Sequence, residues 1–167
     1  MPISMTGENM RRSGWAMLGI AAVALAMPAL AQRKPPYWVS IDVDKAHLRT
    51  GPGRNYPASW LYKRRDLPLK VVDVYGEWRK VEDPGGTQGW MLRNFLDERR
   101  TGIVVGATTE LRSAPQLDAH INWRVEPGVV GRISKCADNW CRFDVGGRAG
   151  YVEQSHIWGV EPGEVVD

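Results

Sequence analysis

The sequence predicts an all-β protein made of two tandem copies of one small unit, and three observations carry that expectation. Short alternating apolar runs recur after residue 36: Trp38, Val39, Ile41 and Val43, then Leu67, Leu69, Val71 and Val74, with one slip in the last run. Trp78, Val81, Trp90 and Leu92 complete the set, and turn chemistry such as Asp83-Pro84-Gly85-Gly86 bounds it, as in a sandwich or barrel of short strands. The second half then repeats the first at an offset of about sixty residues. Leu48-Arg49 matches Leu111-Arg112, Trp60 matches Trp123, Val71 matches Ile133, Trp78 matches Trp140, and Gly89-Trp90-Met91 matches Gly150-Tyr151-Val152.

The beginning of the chain has a different character. Arg11 and Arg12 precede an apolar, Ala-rich run from Gly14 to Leu25, and Pro28-Ala29-Leu30-Ala31 offers small residues for cleavage before Gln32. Residues 1–31 are therefore expected to be a secretory signal peptide, with Met10 an alternative start. The apolar run is shorter than the ~20 residues of a spanning helix, so no stable membrane span is expected after its removal. Removing it takes away Arg11, Arg12 and Glu8 and changes the formal charge of +3 to +2. A near-balanced chain lacks the basic face that nucleic acid needs, and 43% hydrophobic with 25% charged residues is an ordinary globular composition.

Residues 32–36, ending in Pro35-Pro36, read as an extended linker. The first unit is expected over 37–98, the second over 102–160, with 99–101 between them and a tail at 161–167. After the signal peptide no stretch has the spacing of a long helix; single helical turns fit Leu92–Leu96 and Gln154–Ile157. So short a linker leaves the units in contact. Each unit has a modest core to bury. The tryptophans are the expected core of the first (Trp38, Trp60, Trp78, Trp90), and Trp123, Trp140, Tyr151 and Trp158 that of the second.

Cys136 and Cys141 enclose Ala137-Asp138-Asn139-Trp140, whose Asp-Asn centre favours a tight reversal. In an exported protein a hairpin disulfide follows, contributing about 2 kcal/mol on the chain-entropy model. The alternatives are a catalytic thiol, which needs a base and an orienting group, and a zinc site, which needs four ligands; His120 and His156 stand at no recognisable ligand spacing. Asp42 and Asp44 alternate along one strand, which fits either a cation site or the charge that protects a sheet edge. His47 is expected on the outward face of its strand. No nucleophile elbow, phosphate-cradling glycine motif or paired carboxylates occur, so neither catalysis nor a metal or other cofactor is expected.

Ala46-His47-Leu48-Arg49-Thr50-Gly51-Pro52, then Tyr56, then Trp78-Arg79-Lys80-Val81, then Gly89-Trp90-Met91 and Phe95-Leu96 resemble the bacterial SH3 (SH3b) pattern. The resemblance covers nearly the whole chain after the signal peptide, twice. The second copy departs at its opening loop: Ala114 stands for the glycine and no aromatic follows where Tyr56 predicts one. The resemblance implies two SH3-like barrels of five or six strands and a non-catalytic targeting module, periplasmic or extracellular, whose partner is peptidoglycan, its stem peptides or an envelope protein. Arg49, Tyr56 and Trp78 are the candidate ligand-binding residues, since an aromatic face stacks on sugar or alkyl surface and an arginine takes a carboxylate through paired hydrogen bonds. Each also has a structural reading: Trp78 as core, Arg49 bracing the turn carbonyls, Tyr56 packed under its own loop. The alternative to cell-wall recognition is a protein-interaction scaffold using the joint surface of both barrels.

Overall fold

Alternation along each short run sets which residues turn inward. The first barrel contains β1 (Tyr37–Ile41), β2 (Ala46–Arg49), β3 (Ala58–Tyr62), β4 (Pro68–Tyr75), β5 (Trp78–Glu82) and β6 (Gln88–Leu92), a 3₁₀ turn at Arg93–Phe95, and β7 (Leu96–Asp97). The second follows with β8 (Thr101–Val104), β9 (Thr109–Arg112), β10 (Ile121–Val125), β11 (Val130–Ala137), β12 (Trp140–Val145) and β13 (Arg148–Glu153), a 3₁₀ turn at Gln154–His156, and β14 (Ile157–Trp158). This computed structural model describes residues 33–167; the expected signal peptide lies outside the described residues.

The two sheets have one topology. Their strand orders, β3-β2-β6-β5-β4-β1-β7 and β10-β9-β13-β12-β11-β8-β14, superimpose strand for strand. The slip in the alternation after Val71 is a bulge in β4, where the register with β5 shifts between Val71 and Asp73. β11 carries the same shift between Ile133 and Lys135, so both long strands bend at one place. Gly89 and Gly150 are also equivalent: a Cβ at either would press into Leu48 or Leu111 and the next backbone carbonyl, so each glycine lets β2 or β9 close against its neighbour.

The cores are mainly aliphatic, which corrects the tryptophan expectation. Ile41, Leu48, Leu69, Val71, Val81 and Met91 fill the first barrel, and Leu111, Ile133, Phe143, Val152 and Ile157 the second. Trp60 and Trp123 are exposed, whereas Trp78, Trp90, Trp140, Tyr151 and Trp158 are half-buried. Parity gives the reason for β5 and β6: the inward positions are held by Arg79, Val81, Gly89 and Met91, which puts Trp78 and Trp90 on the outside. Trp38 is buried, but between the barrels. Its ring meets that of Trp158 edge to face, with centroids 4.7 Å apart.

That seam joins the barrels, and Arg33–Asp167 form one compact unit. Ile103 of β8 belongs to the apolar cluster of the first barrel. Lys70 lies over the Trp38 ring and pairs with Glu161 at 2.6 Å, and Arg64 donates to the Gly128 carbonyl at 2.7 Å.

Asp138 and Asn139 have φ of 50° and 64°, the double left-handed reversal of a two-residue hairpin, and Cys136 and Cys141 face each other across it in a buried disulfide. The tail is pinned there too: Cys136 and Val166 exchange both backbone N–H···O bonds, at 2.9 and 3.0 Å. Asp42 and Asp44 are not strand neighbours on a common face. β1 ends at Ile41, and both carboxylates turn to Arg65, at 3.0 and 3.3 Å.

Candidate functional site

Arg49 ends β2 where the chain enters the Gly51-Pro52-Gly53 loop. Its Nη1 donates to the carbonyls of Tyr56, at 2.7 Å, and Arg54, at 3.3 Å, so the guanidinium ties the far side of the loop to the sheet. The Tyr56 ring lies along the inside of the same loop and remains 42% exposed. A Cβ at Gly51 would run into this ring, and one at Gly53 would crowd it, so both glycines are needed to seat the tyrosine.

On the outer face of the sheet, Arg49 pairs in register with Trp90, and Trp78 with Leu92. Where β2, β5, β6 and the 3₁₀ turn meet, His47, Arg49, Arg54, Trp78, Leu92 and Phe95 line a shallow pocket of about 190 Å³. One side is cationic or basic and the other is apolar and aromatic; no carboxylate lines it. Arg49 and Trp78 therefore meet in one place. Tyr56 does not line that pocket, and stands on the loop beside it.

The second barrel has a pocket at the equivalent position, about 390 Å³ in volume. Arg112 and Trp140 occupy the places of Arg49 and Trp78. Glu110 replaces His47, Glu153 replaces Leu92, and His156 replaces Phe95. The bracing survives, since Arg112 Nη1 donates to the Ala119 carbonyl at 2.9 Å, again seven residues ahead.

Two partly buried polar clusters lie elsewhere. Tyr62 donates its hydroxyl to Asp83 at 2.8 Å; burial first, then this hydrogen bond and the carboxylate charge, push the phenol well above its ordinary range. Burial alone would raise the Glu164 carboxyl, but hydrogen bonds from Arg100 and the Glu161 backbone N–H, with the charges of Arg100 and Arg33, outweigh it and hold the group below its usual value. Arg100 also donates to the Gly159 carbonyl, which locks the tail to the second barrel. Among the described residues no group of three or more His, Cys, Asp or Glu is placed to hold a metal ion.

The family model for the bacterial SH3 domain matches the chain twice, over residues 42–98 and 105–159. The chain belongs to the bacterial SH3 domain family. No curated protein sequence matches it. Among solved structures, NlpC2 of Trichomonas vaginalis is similar at 14% identity and a TM-score of 0.34, covering 75% of this chain and 49% of that one. NlpC1 of the same organism is 13% identical with a TM-score of 0.34, over 81% and 50%. An NlpC/P60 family protein of Bacillus cereus is 16% identical with a TM-score of 0.33, over 72% and 55%. The chain thus spans about half the length of the structures it matches.

Within the first SH3 copy, sequence reasoning selected Arg49 and Trp78 and missed Arg54, Leu92 and Phe95 as pocket partners. His47 was legible as outward-facing, because it alternates with buried Ala46 and Leu48. Its company with Phe95 was not, since only the pairing of β2 with β6 and the returning 3₁₀ turn brings them together.

Proposed function

We propose that this bacterial SH3 protein is an exported, non-catalytic binding module of the cell envelope whose first barrel recognises peptidoglycan through its stem peptides. The observation that carries the reading is the pocket in which His47, Arg49 and Arg54 face Trp78, Leu92 and Phe95 with no acid among them. A ligand with a carboxylate on an aliphatic stem fits it: the guanidinium groups take the carboxylate and the indole and phenyl faces cover the stem. Tyr56, exposed on the adjoining loop, is positioned to extend the contact onto sugar. Family membership supports a binding role. The Cys136–Cys141 disulfide and the three-part N-terminal segment support export to the periplasm or beyond.

Sedimentation with isolated peptidoglycan tests this. Arg54→Ala and Trp78→Ala are expected to lower the bound fraction several-fold while leaving the thermal transition near that of the parent chain. Failure of the parent chain to co-sediment at low and moderate salt would sink the proposal. Arg49→Ala is the less clean variant, because it also releases the loop carbonyls.

A second reading, a protein-interaction scaffold, has its own support in the fixed seam. Trp38, Ile103 and Trp158 hold the barrels as one body, and a polar cleft of about 390 Å³ lined by Asp66, Arg99, Arg132 and Asp144 opens between them. Envelope cross-linking that returns one dominant protein partner would favour it.

A further inference from the structure

The two equivalent pockets differ in charge. The first is lined by basic side chains alone among its ionisable groups, whereas the second adds Glu110 and Glu153. These carboxylates are not alike. Glu110 is already held by Arg112 at 2.5 Å and faces Arg124 at 3.6 Å. Glu153 has neither arginine: its ion-pair partner among the described residues is His156 Nε2 at 3.7 Å, beyond hydrogen-bond reach. The imidazole is turned by its other nitrogen, since His156 Nδ1 shares a 2.8 Å hydrogen bond with the buried Thr109 hydroxyl.

Glu153 is also the direct cross-strand neighbour of Trp140, and both line the pocket. A carboxylate beside an indole face is the arrangement that accepts an organic ammonium: charge pairs with charge, and the ring quadrupole attracts the cation. In the first barrel the same place beside Trp78 is held by Leu92, which cannot pair with a cation.

We propose that the pocket of the second barrel is a binding site for a primary ammonium on an aliphatic stem, such as a side-chain amine of a peptide, with Glu153 as the ion-pair partner and Trp140 as the wall. Arg112 acts there as a positioning residue that holds the loop through Ala119 and pairs with the Glu110 carboxylate. The inference is independent of what the first barrel binds.

Titration of the purified chain with Nα-acetyl-lysine amide, followed by ¹H–¹⁵N NMR, tests it, with Nα-acetyl-norleucine amide as the uncharged control. The Trp140 indole N–H is assigned from the spectrum of Trp140→Phe. The expected result is a saturable shift at Trp140 and Glu153 with the lysine derivative alone, the Trp78 indole unmoved, and binding weakened at least about tenfold in Glu153→Gln, in keeping with loss of a charge-assisted contact. Equal shifts from both probes, shifts confined to Trp78, wild-type affinity in Glu153→Gln, or no saturable shift at all would each overturn the assignment. Peptidoglycan sedimentation does not enter this test, so its failure and that of the first-barrel reading are separable.

Discussion

The opening loops of the two barrels keep different things. Arg49 and Arg112 make the same bond, each bracing the carbonyl seven residues ahead, although almost every residue in between has changed. Gly51 and Tyr56 are found in the first loop, and the second has Ala114 and Ala119. The glycine and the tyrosine go together because the ring occupies the space a Cβ at Gly51 would need. With no ring at position 119, the second loop tolerates a methyl at 114. The arginine thus braces the loop in both copies, and the loop lining varies as a coupled set.

The hairpins between the long strands teach the same lesson. Val74 faces Arg79 in the first barrel where Cys136 faces Cys141 in the second. Arg79 is buried there, donating to the Gly76 and Trp78 carbonyls, and so closes its hairpin by hydrogen bonds. The second hairpin is closed by a covalent bond and by the tail's backbone bridge at Val166.

If the barrels share one plan and one seam, equivalent core deletions should have equal and shared effects. Leu48→Ala and Leu111→Ala each remove a fully buried side chain and are expected to cost about 3 kcal/mol in urea denaturation. Both should lower one common transition, read by tryptophan fluorescence; two separate transitions would show that the seam does not couple the barrels.

A smaller effect sharpens the loop comparison. Gly51→Ala should destabilise by about 1 kcal/mol through displacement of the Tyr56 ring, and Ala114→Gly should stay within about 0.5 kcal/mol. Adding Tyr56→Ala to Gly51→Ala should recover most of the loss; strict additivity of the two changes would contradict direct coupling.

The smallest effect concerns the tail, which the first barrel lacks. Because the Glu164 carboxyl is held below its ordinary value in the folded chain, its contribution is complete above about pH 4.5 and declines as pH falls through the lower folded value. Glu164→Gln should flatten that part of the acid dependence of the melting temperature. An unchanged acid slope would show that the Arg100–Glu164 contact does not stabilise the fold.

Much of this architecture is legible in the residues. The slip after Val71 foretells the bulge, Asp138-Asn139 foretells the reversed hairpin, and Leu92–Leu96 and Gln154–Ile157 foretell the two 3₁₀ turns. The tryptophans mislead, because hydrophobicity marks a residue as seeking cover without saying which cover. Trp38 finds it in the other barrel, Trp90 finds part of it on the outer face, and Trp60 remains 58% exposed. Asp42 and Asp44 mislead for a related reason: their spacing is that of a strand face, but β1 stops first and Arg65 collects both from a distant loop.

By itself the sequence determined the all-β class, the doubling and the disulfide hairpin, because alternation, turn chemistry and internal repetition are local properties of the chain. Only the tertiary structure decided that Arg49 and Trp78 share a pocket with Phe95, that Tyr56 stands outside it, and that Glu153 rather than Glu110 is left without an arginine. Those facts depend on which strands lie side by side and on which charges have already found partners. Both are settled by pairing between residues far apart in sequence, and no local pattern encodes them.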